Sequence, residues 1–332
     1  VESLQLQRGV GTSTNGSGAF GASINILTDA ISEKANAKIS NSFGSYNTRK
    51  HTLKFSTGKL NNHFEIAGRL SQIKSDGYID RATSDLKSYF LQASYVDDNT
   101  LIKALVFGGH EITYQAWNGI DAETLATDRT FNPSGIYTND EGNIQFYDNE
   151  VDNYKQDHYQ LHWNERINNN WSTNIGLNYT YGRGFFEQYK EDQYFTDYDF
   201  EEITIGGETI STTDLIRRRW LDNDFYVVNV NANYKNNKTD FIFGGSFSSY
   251  NGDHFGEVIW AEFASNSQIR DRYYDGNSKK NDFSTFAKAT YRLNEKISLY
   301  GDLQLRFVDY KTFGTNSNRE VFMINENYKF FN

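Results

Sequence analysis

The segment "WSTNIGLNYTYG" (residues 171–182) alternates between two kinds of side chain along its whole length. The odd-numbered positions carry Trp, Thr, Ile, Leu, Tyr and Tyr, whereas the even-numbered positions carry Ser, Asn, Gly, Asn, Thr and Gly. Because successive side chains of a strand point to opposite faces, this pattern predicts a strand with one apolar and one polar face. The same alternation recurs at 63–71, 225–235 and 296–307.

The composition of the chain favours an all-β protein. Its 332 residues include 23 tyrosines, 25 phenylalanines, one proline and no cysteine. Aromatic residues are typical strand formers, and no apolar run reaches the ~18 residues of a membrane helix. The net charge of -10 disfavours a nucleic-acid partner. The mean hydropathy of -0.71 is compatible with a transmembrane barrel, because half of each of its strands faces a polar lumen.

The lengths of the strands and connections separate a soluble sandwich from a membrane barrel. The segments run for about 12–18 residues, against about 5–6 in soluble proteins and about 9–11 needed to cross a bilayer. Short turns at one end of the strands and long loops at the other are typical of outer-membrane barrels. Short turns are predicted at 61–62, 97–99, 168–170, 236–237 and 294–295, and long irregular connections at about 75–86, 116–152, 188–216, 252–281 and 312–325.

We therefore predict an antiparallel up-and-down transmembrane β-barrel, with residues 35–312 in one sheet whose strands pair in sequence order. Apolar positions of the strands are expected to face lipid, and polar positions the lumen. The lipid-facing set is Leu177, Tyr179, Val230 and Leu303, and the lumen-facing set is Asn178, Asn231 and Gln304.

The glycine-rich segment "GSGAFGASINILT" (residues 16–28) has the spacing G-x-G-x-x-G at Gly16, Gly18 and Gly21. A dinucleotide-binding loop would lead into a helix whose N-terminus binds the phosphate. Here the alternating "ASINIL" that follows predicts a strand, and Ser17 stands where a P-loop needs lysine. The glycines are therefore expected to allow close packing or a positive φ, and Gly21 to accept no larger side chain.

Residues 1–28 resemble the end of the plug domain of TonB-dependent outer-membrane receptors, which has the form R-G…G-x-G-A-x-G-x-x-I-N-I-x-T. Two positions depart from the pattern: Ala22 replaces the usual second glycine, and Asn15 stands where many members carry tyrosine. "HEITYQAWNGI" (110–120) resembles the entry to the first large loop in the Bacteroidetes-type branch. The matching positions are Glu2, Arg8, Gly9, Gly18, Ala19, Gly21, Ile24, Asn25, Ile26 and Thr28.

The resemblance implies a globular plug inside a barrel of about twenty-two strands. We expect residues 1–30 to be the C-terminal end of the plug and residues 31–332 to be the N-terminal half of the barrel, with about 11–12 strands. The chain is thus expected to be a fragment that lacks the plug segment contacting TonB.

The function implied by the resemblance is TonB-energised uptake of a scarce ligand, an iron–siderophore complex first and cobalamin or haem next. A glycan-uptake receptor of the same superfamily and a passive porin or surface-binding barrel are the alternatives. The expected partners are outer-membrane lipid, lipopolysaccharide, TonB and the small-molecule ligand, and the barrel is expected to be a monomer. No nucleophile–base–acid grouping suggests catalysis, and no cofactor or bound metal is expected.

Several side chains are candidates for ligand contact or ion binding. Segment 187–202 is acidic and could attract a cation, or form a solvated loop. The arginines at 217–219 could bind lipopolysaccharide phosphates, pair with that loop, or form a solvated cluster. His158 and His162 lie about 13 Å apart on a strand, so they are expected to be lumen-facing polar groups that share no metal.

Aromatic rings near the long loops could stack on a planar ligand or belong to an interfacial girdle. The ligand-contact candidates are Tyr114, Trp117, Tyr137, Tyr194 and Tyr198, and the residues of the plug motif are Arg8, Gly9, Gly18, Gly21 and Asn25.

Overall fold

A computed structural model describes residues 3–9, 11–15, 21–28 and 30–332. Gly16 and Gly18 of the glycine motif lie outside the described residues, as do Glu2 and Ala19. No helix in the described part of the chain has the length and apolar character needed to span a bilayer.

The described residues form eighteen strands and one short α-helix. The helix α1 is Ala122–Thr127, and two single 3₁₀ turns lie at Ser13–Asn15 and Phe195–Asp197. The strands are β1 (Ser3–Arg8), β2 (Ala22–Leu27), β3 (Lys34–Gly44), β4 (Thr48–Gly58), β5 (Phe64–Ser75), β6 (Ser84–Val96), β7 (Thr100–Tyr114), β8 (Ile136–Thr138), β9 (Ile144–Phe146), β10 (Val151–Arg166), β11 (Trp171–Tyr194), β12 (Ile203–Ile205), β13 (Glu208–Ile210), β14 (Thr212–Lys235), β15 (Thr239–Ala261), β16 (Arg272–Arg292), β17 (Ser298–Thr315) and β18 (Val321–Phe331).

Twelve of these strands form a single antiparallel sheet. Its order is β3-β4-β5-β6-β7-β10-β11-β14-β15-β16-β17-β18, so each strand pairs with the next long strand in sequence. The hairpins β8–β9 and β12–β13 are separate two-stranded sheets within the connections. The all-β class and the up-and-down order predicted from the sequence are confirmed.

Four strands, β11 and β14 to β16, are longer than the sequence predicts, and the loops beside them are correspondingly shorter. β11 and β14 each have 24 residues and β15 has 23. The connections at what we call the loop end of the sheet are 45–47, 76–83, 115–150, 195–211, 262–271 and 316–320. The predicted loop at 252–281 is therefore mostly strand. Beyond an apolar band both faces of a strand are polar, so the alternation in the sequence ends although the hydrogen-bonded ladder continues.

The two faces of the sheet differ as the alternation predicts. The register places Leu161, Leu177 and Val228 side by side on one face, where the Leu177 side chain is 40% exposed. On the other face Asn178 accepts a hydrogen bond from Gln160 Nε2 at 2.9 Å, and similar amide contacts continue along the neighbouring rows. We call these the apolar face and the polar face of the sheet.

Aromatic rings mark both limits of the apolar band on β11. Towards the loop end, Tyr179 stacks on Tyr226 with ring centroids 4.7 Å apart, and at the opposite, turn end Trp171 lies 5.0 Å from Tyr234. Eight residues separate the two levels, which is about 26 Å along a strand and about 20 Å along the normal at a barrel's usual tilt. This height fits the apolar band of a transmembrane barrel, about 25 Å between two aromatic girdles.

The N-terminal residues form a hairpin against the polar face. β2, at the strand predicted after Gly21, pairs with β1, and Gly9 N–H donates to the Gly21 carbonyl at 2.7 Å. In the 3₁₀ turn of this hairpin, Ser13 N–H donates to Asp302 Oδ2 at 3.1 Å, and the Ser13 hydroxyl also donates to that carboxylate. Asp302 shares a face of β17 with Gln304, so the hairpin contacts the predicted lumen wall.

The expectation that Gly21 tolerates no larger side chain is wrong for the described structure. A Cβ added to Gly21 would meet no atom within 4 Å, and the φ of Gly21 lies outside the left-handed region. The constraint falls instead on Gly9, whose φ of 84° is unfavourable for an L side chain.

The assignment of the faces predicts that two neighbouring substitutions have unequal effects on the free energy of folding. Leu177→Arg places a charge at the apolar face and is expected to destabilise folding into bilayers by about 2–4 kcal/mol, because arginine there must enter hydrocarbon. Asn178→Arg, one residue away on the polar face, is the matched control and should cost far less. Equal losses of folding free energy in a vesicle-refolding titration would contradict the assignment.

Candidate functional site

A cavity of about 540 Å³ opens on the polar face near the loop end of the sheet. Strands β10, β11 and β14 to β18 form its wall, and the start of the connection 115–150 contributes to its rim. Its lining combines seven aromatic residues with a few polar groups. The aromatic residues are Trp117, Tyr154, Phe185, Phe186, Trp220, Tyr274 and Phe322, and the polar residues include Asp152, Arg219, His254 and Ser278.

Glycines in the adjoining strands give the tyrosine rings room to lie against the sheet. A Cβ at Gly184 would lie 2.7 Å from the ring of Tyr154. A Cβ at Gly256 would collide with the rings of Tyr273 and Tyr274. The aromatic lining thus depends on glycine at positions that face it across the ladder.

Arg219 supplies positive charge to the aromatic cavity. Its guanidinium carbon lies 5.9 Å from the centroid of the Phe186 ring, and its Nε donates to Tyr273 Oη at 3.2 Å. Trp117 meets the same Phe186 ring edge-on, with centroids 5.9 Å apart, and its side chain remains 56% exposed. Burial raises the pKa of Asp152 above its ordinary value. The cavity therefore suits a ligand with planar groups and negative charge.

The connection 195–211 packs over the sheet beside the cavity. Phe195, Tyr198 and Phe200 form a buried cluster with Leu215 of β14 and Tyr273 of β16. One nitrogen of the Arg217 guanidinium donates to Tyr198 Oη at 2.7 Å. This small apolar core fixes the loop next to the wall that carries Arg219.

The structure separates the five predicted ligand contacts. Trp117 lines the cavity. Tyr114 and Tyr198 are buried, and the Tyr114 hydroxyl donates to the Tyr147 carbonyl at 2.9 Å, so both residues have packing roles. Tyr137 packs on Tyr189, with ring centroids 4.6 Å apart. Tyr194 is 63% exposed outside the cavity.

The expectation of a solvated acidic loop at 187–202 is wrong for its first half, which belongs to β11. Glu187 is only 1% exposed. Its carboxylate accepts hydrogen bonds from Tyr147 Oη and Asn149 Nδ2, each at 2.5 Å, and from Arg218 Nε at 2.6 Å. Three partners thus compensate the burial of this charge and hold the end of the connection 115–150 to the sheet.

The expected solvated arginine cluster at 217–219 is also wrong, because strand alternation sends the three side chains to different faces. Arg218 binds Glu187 on the apolar side of the sheet. Arg217 and Arg219 lie on the polar side and bind the tyrosine hydroxyls of Tyr198 and Tyr273. The run thus pairs with neighbouring loops and strands, which was one of the alternatives.

The remaining candidates show no ion site. His158 hydrogen-bonds Thr180 Oγ1 at 2.9 Å, and His162 lies 3.2 Å from Gln160 Oε1, both on the polar face. Among the described residues, no three His, Asp or Glu side chains converge in a metal-binding group. Of the plug motif, Arg8 ends β1 and Asn25 pairs with Gln5 in the hairpin.

Sequence reasoning did not identify most of the cavity. Tyr154, Phe186 and Tyr274 are far apart in sequence and meet only through the register of β10, β11 and the strands after them. The glycines opposite the tyrosines are the one local signal, and they indicate close approach only when the pairing is known.

The buried carboxylate of Glu187 predicts how loop 115–150 responds to substitution. Glu187→Gln leaves Arg218 without its ionic partner and is expected to weaken the attachment of the loop by about 2 kcal/mol. Arg129 is the only basic residue of this loop, so faster tryptic cleavage after Arg129 measures the release. Glu208→Gln, on the exposed β12–β13 hairpin, is the control. Cleavage rates that are the same in both variants would contradict this role of Glu187.

The sequence and the structure give different results when compared with known proteins. No protein-family profile matches the sequence, and no curated protein is significantly similar to it. Among solved structures, the ferric-catecholate import receptor Fiu of E. coli K12 superposes with a TM-score of 0.68 at 13% identity, over 97% of this chain and 50% of that chain.

Two further receptor structures also superpose on this chain. The ferric yersiniabactin uptake receptor FyuA of Yersinia pestis gives a TM-score of 0.70 at 12% identity, over 99% of this chain and 48% of that one. The ferripyoverdine receptor of the outer membrane of Pseudomonas aeruginosa gives 0.63 at 12% identity, over 98% and 43%. This chain thus spans about half the length of the receptors that it matches. The chain therefore has the fold of the barrel wall of outer-membrane receptors, as the sequence predicts.

Proposed function

We propose that this chain is part of an outer-membrane receptor that takes up a scarce small ligand with energy from TonB, and that the ligand is an iron–siderophore complex. The fold supports a receptor barrel, and the resemblance of residues 1–28 to a plug tail supports the dependence on TonB. The division between plug and barrel at residue 30 stays a prediction.

The observation that carries the proposal is the cavity beside Trp117, Phe186 and Arg219. It lies on the polar face at the loop end of the sheet, where a ligand arriving from the long loops first meets the wall. Ferric complexes with catecholate or phenolate groups combine planar rings with negative charge. Aromatic faces and a guanidinium are the groups that recognise this combination.

The N-terminal hairpin favours gated uptake over a passive pore. Ser13 joins this hairpin to the wall through Asp302, so the lumen side of the sheet already carries plug-like backbone. A porin keeps an aqueous channel along this face. Hydrogen bonds such as that of Ser13 contribute only about 0.5–1.5 kcal/mol each, so mechanical force can displace a segment that they hold.

Competition binding on the complete receptor tests the proposal. Ferric siderophores of the catecholate and phenolate type are expected to displace one another and to be displaced poorly by haem, cobalamin or oligosaccharides. Trp117→Ala should weaken ferric-siderophore binding roughly 2- to 10-fold, the loss expected for one aromatic contact.

Tyr194→Ala is the matched control, since this exposed ring lies outside the cavity, and it should bind like the wild type. Preferential binding of an oligosaccharide would favour the glycan-uptake alternative. Equal affinities of the Trp117 and Tyr194 variants would remove the cavity from the ligand pathway.

A further inference from the structure

A second groove, of about 580 Å³, lies on the apolar face of the sheet and is separate from the cavity. Strand pairing places six polar side chains in one continuous row across β3, β4, β5, β6, β7 and β10. This row, which we call the polar row, consists of Asn41, His51, Gln72, Lys87, His110 and Lys155.

The neighbouring row towards the turn end is apolar and forms the floor of the groove. Ile39, Leu53 and Leu70 are consecutive partners in it, and all three side chains are exposed. Tyr89 continues the row, and its hydroxyl donates to Asp157 Oδ1 at 2.7 Å across Gly108. The groove therefore changes from apolar to polar within two residues along β3, β4 and β5.

The charge around the polar row is positive although the whole chain carries -10. Lys74 and Lys87 share a single carboxylate, Asp85, at 3.1 and 3.9 Å. Lys155 lies 3.1 Å from Asp157. Arg49, which pairs with Lys74 in the next row towards the loop end, adds a fourth cation. Four permanent cations thus face two carboxylates.

On the same face of the later strands, acidic side chains replace the basic ones. There the row that contains Lys155 continues through Arg183 to Asp222 and Asp253. Arg183 lies 3.4 Å from Asp222. Along this row, the combination of positive charge and an exposed apolar floor therefore lies in the part of the sheet from β3 to β10.

We propose that this groove binds a phosphorylated glycolipid of the lipopolysaccharide type from the outer leaflet. Lys87 and Lys155 would contact its phosphates, and the floor of Ile39, Leu53 and Leu70 would contact its acyl chains. The charge complementarity argues for this occupant, because the polar row borders the apolar floor on its loop-end side, as the phosphates of the leaflet border its acyl chains. The inference rests on the proposed outer-membrane location and is independent of the transported ligand.

The test measures binding of diphosphorylated lipid A to the complete receptor in detergent by native mass spectrometry. Lys87→Gln with Lys155→Gln is expected to weaken retention of lipid A roughly tenfold or more, as for two lysines near an anionic surface. Lys87→Arg with Lys155→Arg keeps the charges and should retain the lipid.

The chain offers a matched control on the same face. Lys279 and Lys311 are cross-strand partners on β16 and β17 and lie outside the groove. Lys279→Gln with Lys311→Gln removes the same charge and should leave lipid A binding unchanged. An equal loss in this control would reduce the effect to general electrostatics and overturn the proposed site.

Three other probes identify the source of the phosphate. Inorganic phosphate and dephosphorylated lipid A should compete poorly. The first has no acyl chains for the apolar floor, and the second has no phosphates for the lysines. Competition by inorganic phosphate alone, or retention of phosphatidylglycerol as strong as that of lipid A, would overturn the assignment to a glycolipid. Ferric-siderophore binding, measured on the same variants, separates failure of this site from failure of the proposed function.

Discussion

Each strand of the sheet has lipid on one face and the lumen on the other, and its backbone and side chains must suit both at once. Hydrocarbon offers no hydrogen-bond partner, so every backbone group in the band must be paired with a neighbouring strand. The ten inner strands of the sheet meet this demand by pairing on both sides, in sequence order. The side chains then have only two directions, which is why leucine and asparagine alternate at 177 and 178. The girdles, the lumen wall and the position of the cavity all follow from this arrangement.

Above the band the same strands continue in water, where the constraint on the side chains changes. There the strands carry buried polar anchors such as Glu187, which binds Arg218 and two side chains of loop 115–150. Arg81 makes a second anchor for that loop, with its guanidinium 3.6 Å from the centroid of the Phe146 ring. The extended strands thus form a rigid base for the loops, and the cavity lies where this base meets the lumen.

Much of the fold follows from the sequence, because alternation, strand length and turn residues are local signals. The faces of Leu177 and Asn178 needed no knowledge of any partner strand. The candidate site is different. Phe186 meets Trp117 only through folding of a long loop. In the sequence, Glu187 cannot be distinguished from the neighbouring acidic residues, because its partners Tyr147 and Arg218 are known only from the structure. The prediction that Gly21 accepts no larger side chain was wrong for the same reason. Its motif matches a plug tail, but the residue with the unfavourable φ is Gly9.

The central claim is that β11 and its neighbours have lipid on one face and the lumen on the other. This chain contains no cysteine, so single cysteines at each position from 174 to 179 can carry a spin label once any cysteine in the rest of the complete receptor has been replaced. In bilayers, oxygen should collide most with labels at 175, 177 and 179, and a water-soluble nickel complex with labels at 174, 176 and 178. A profile without this two-residue period, with nickel reaching position 177 as readily as position 178, would contradict the account.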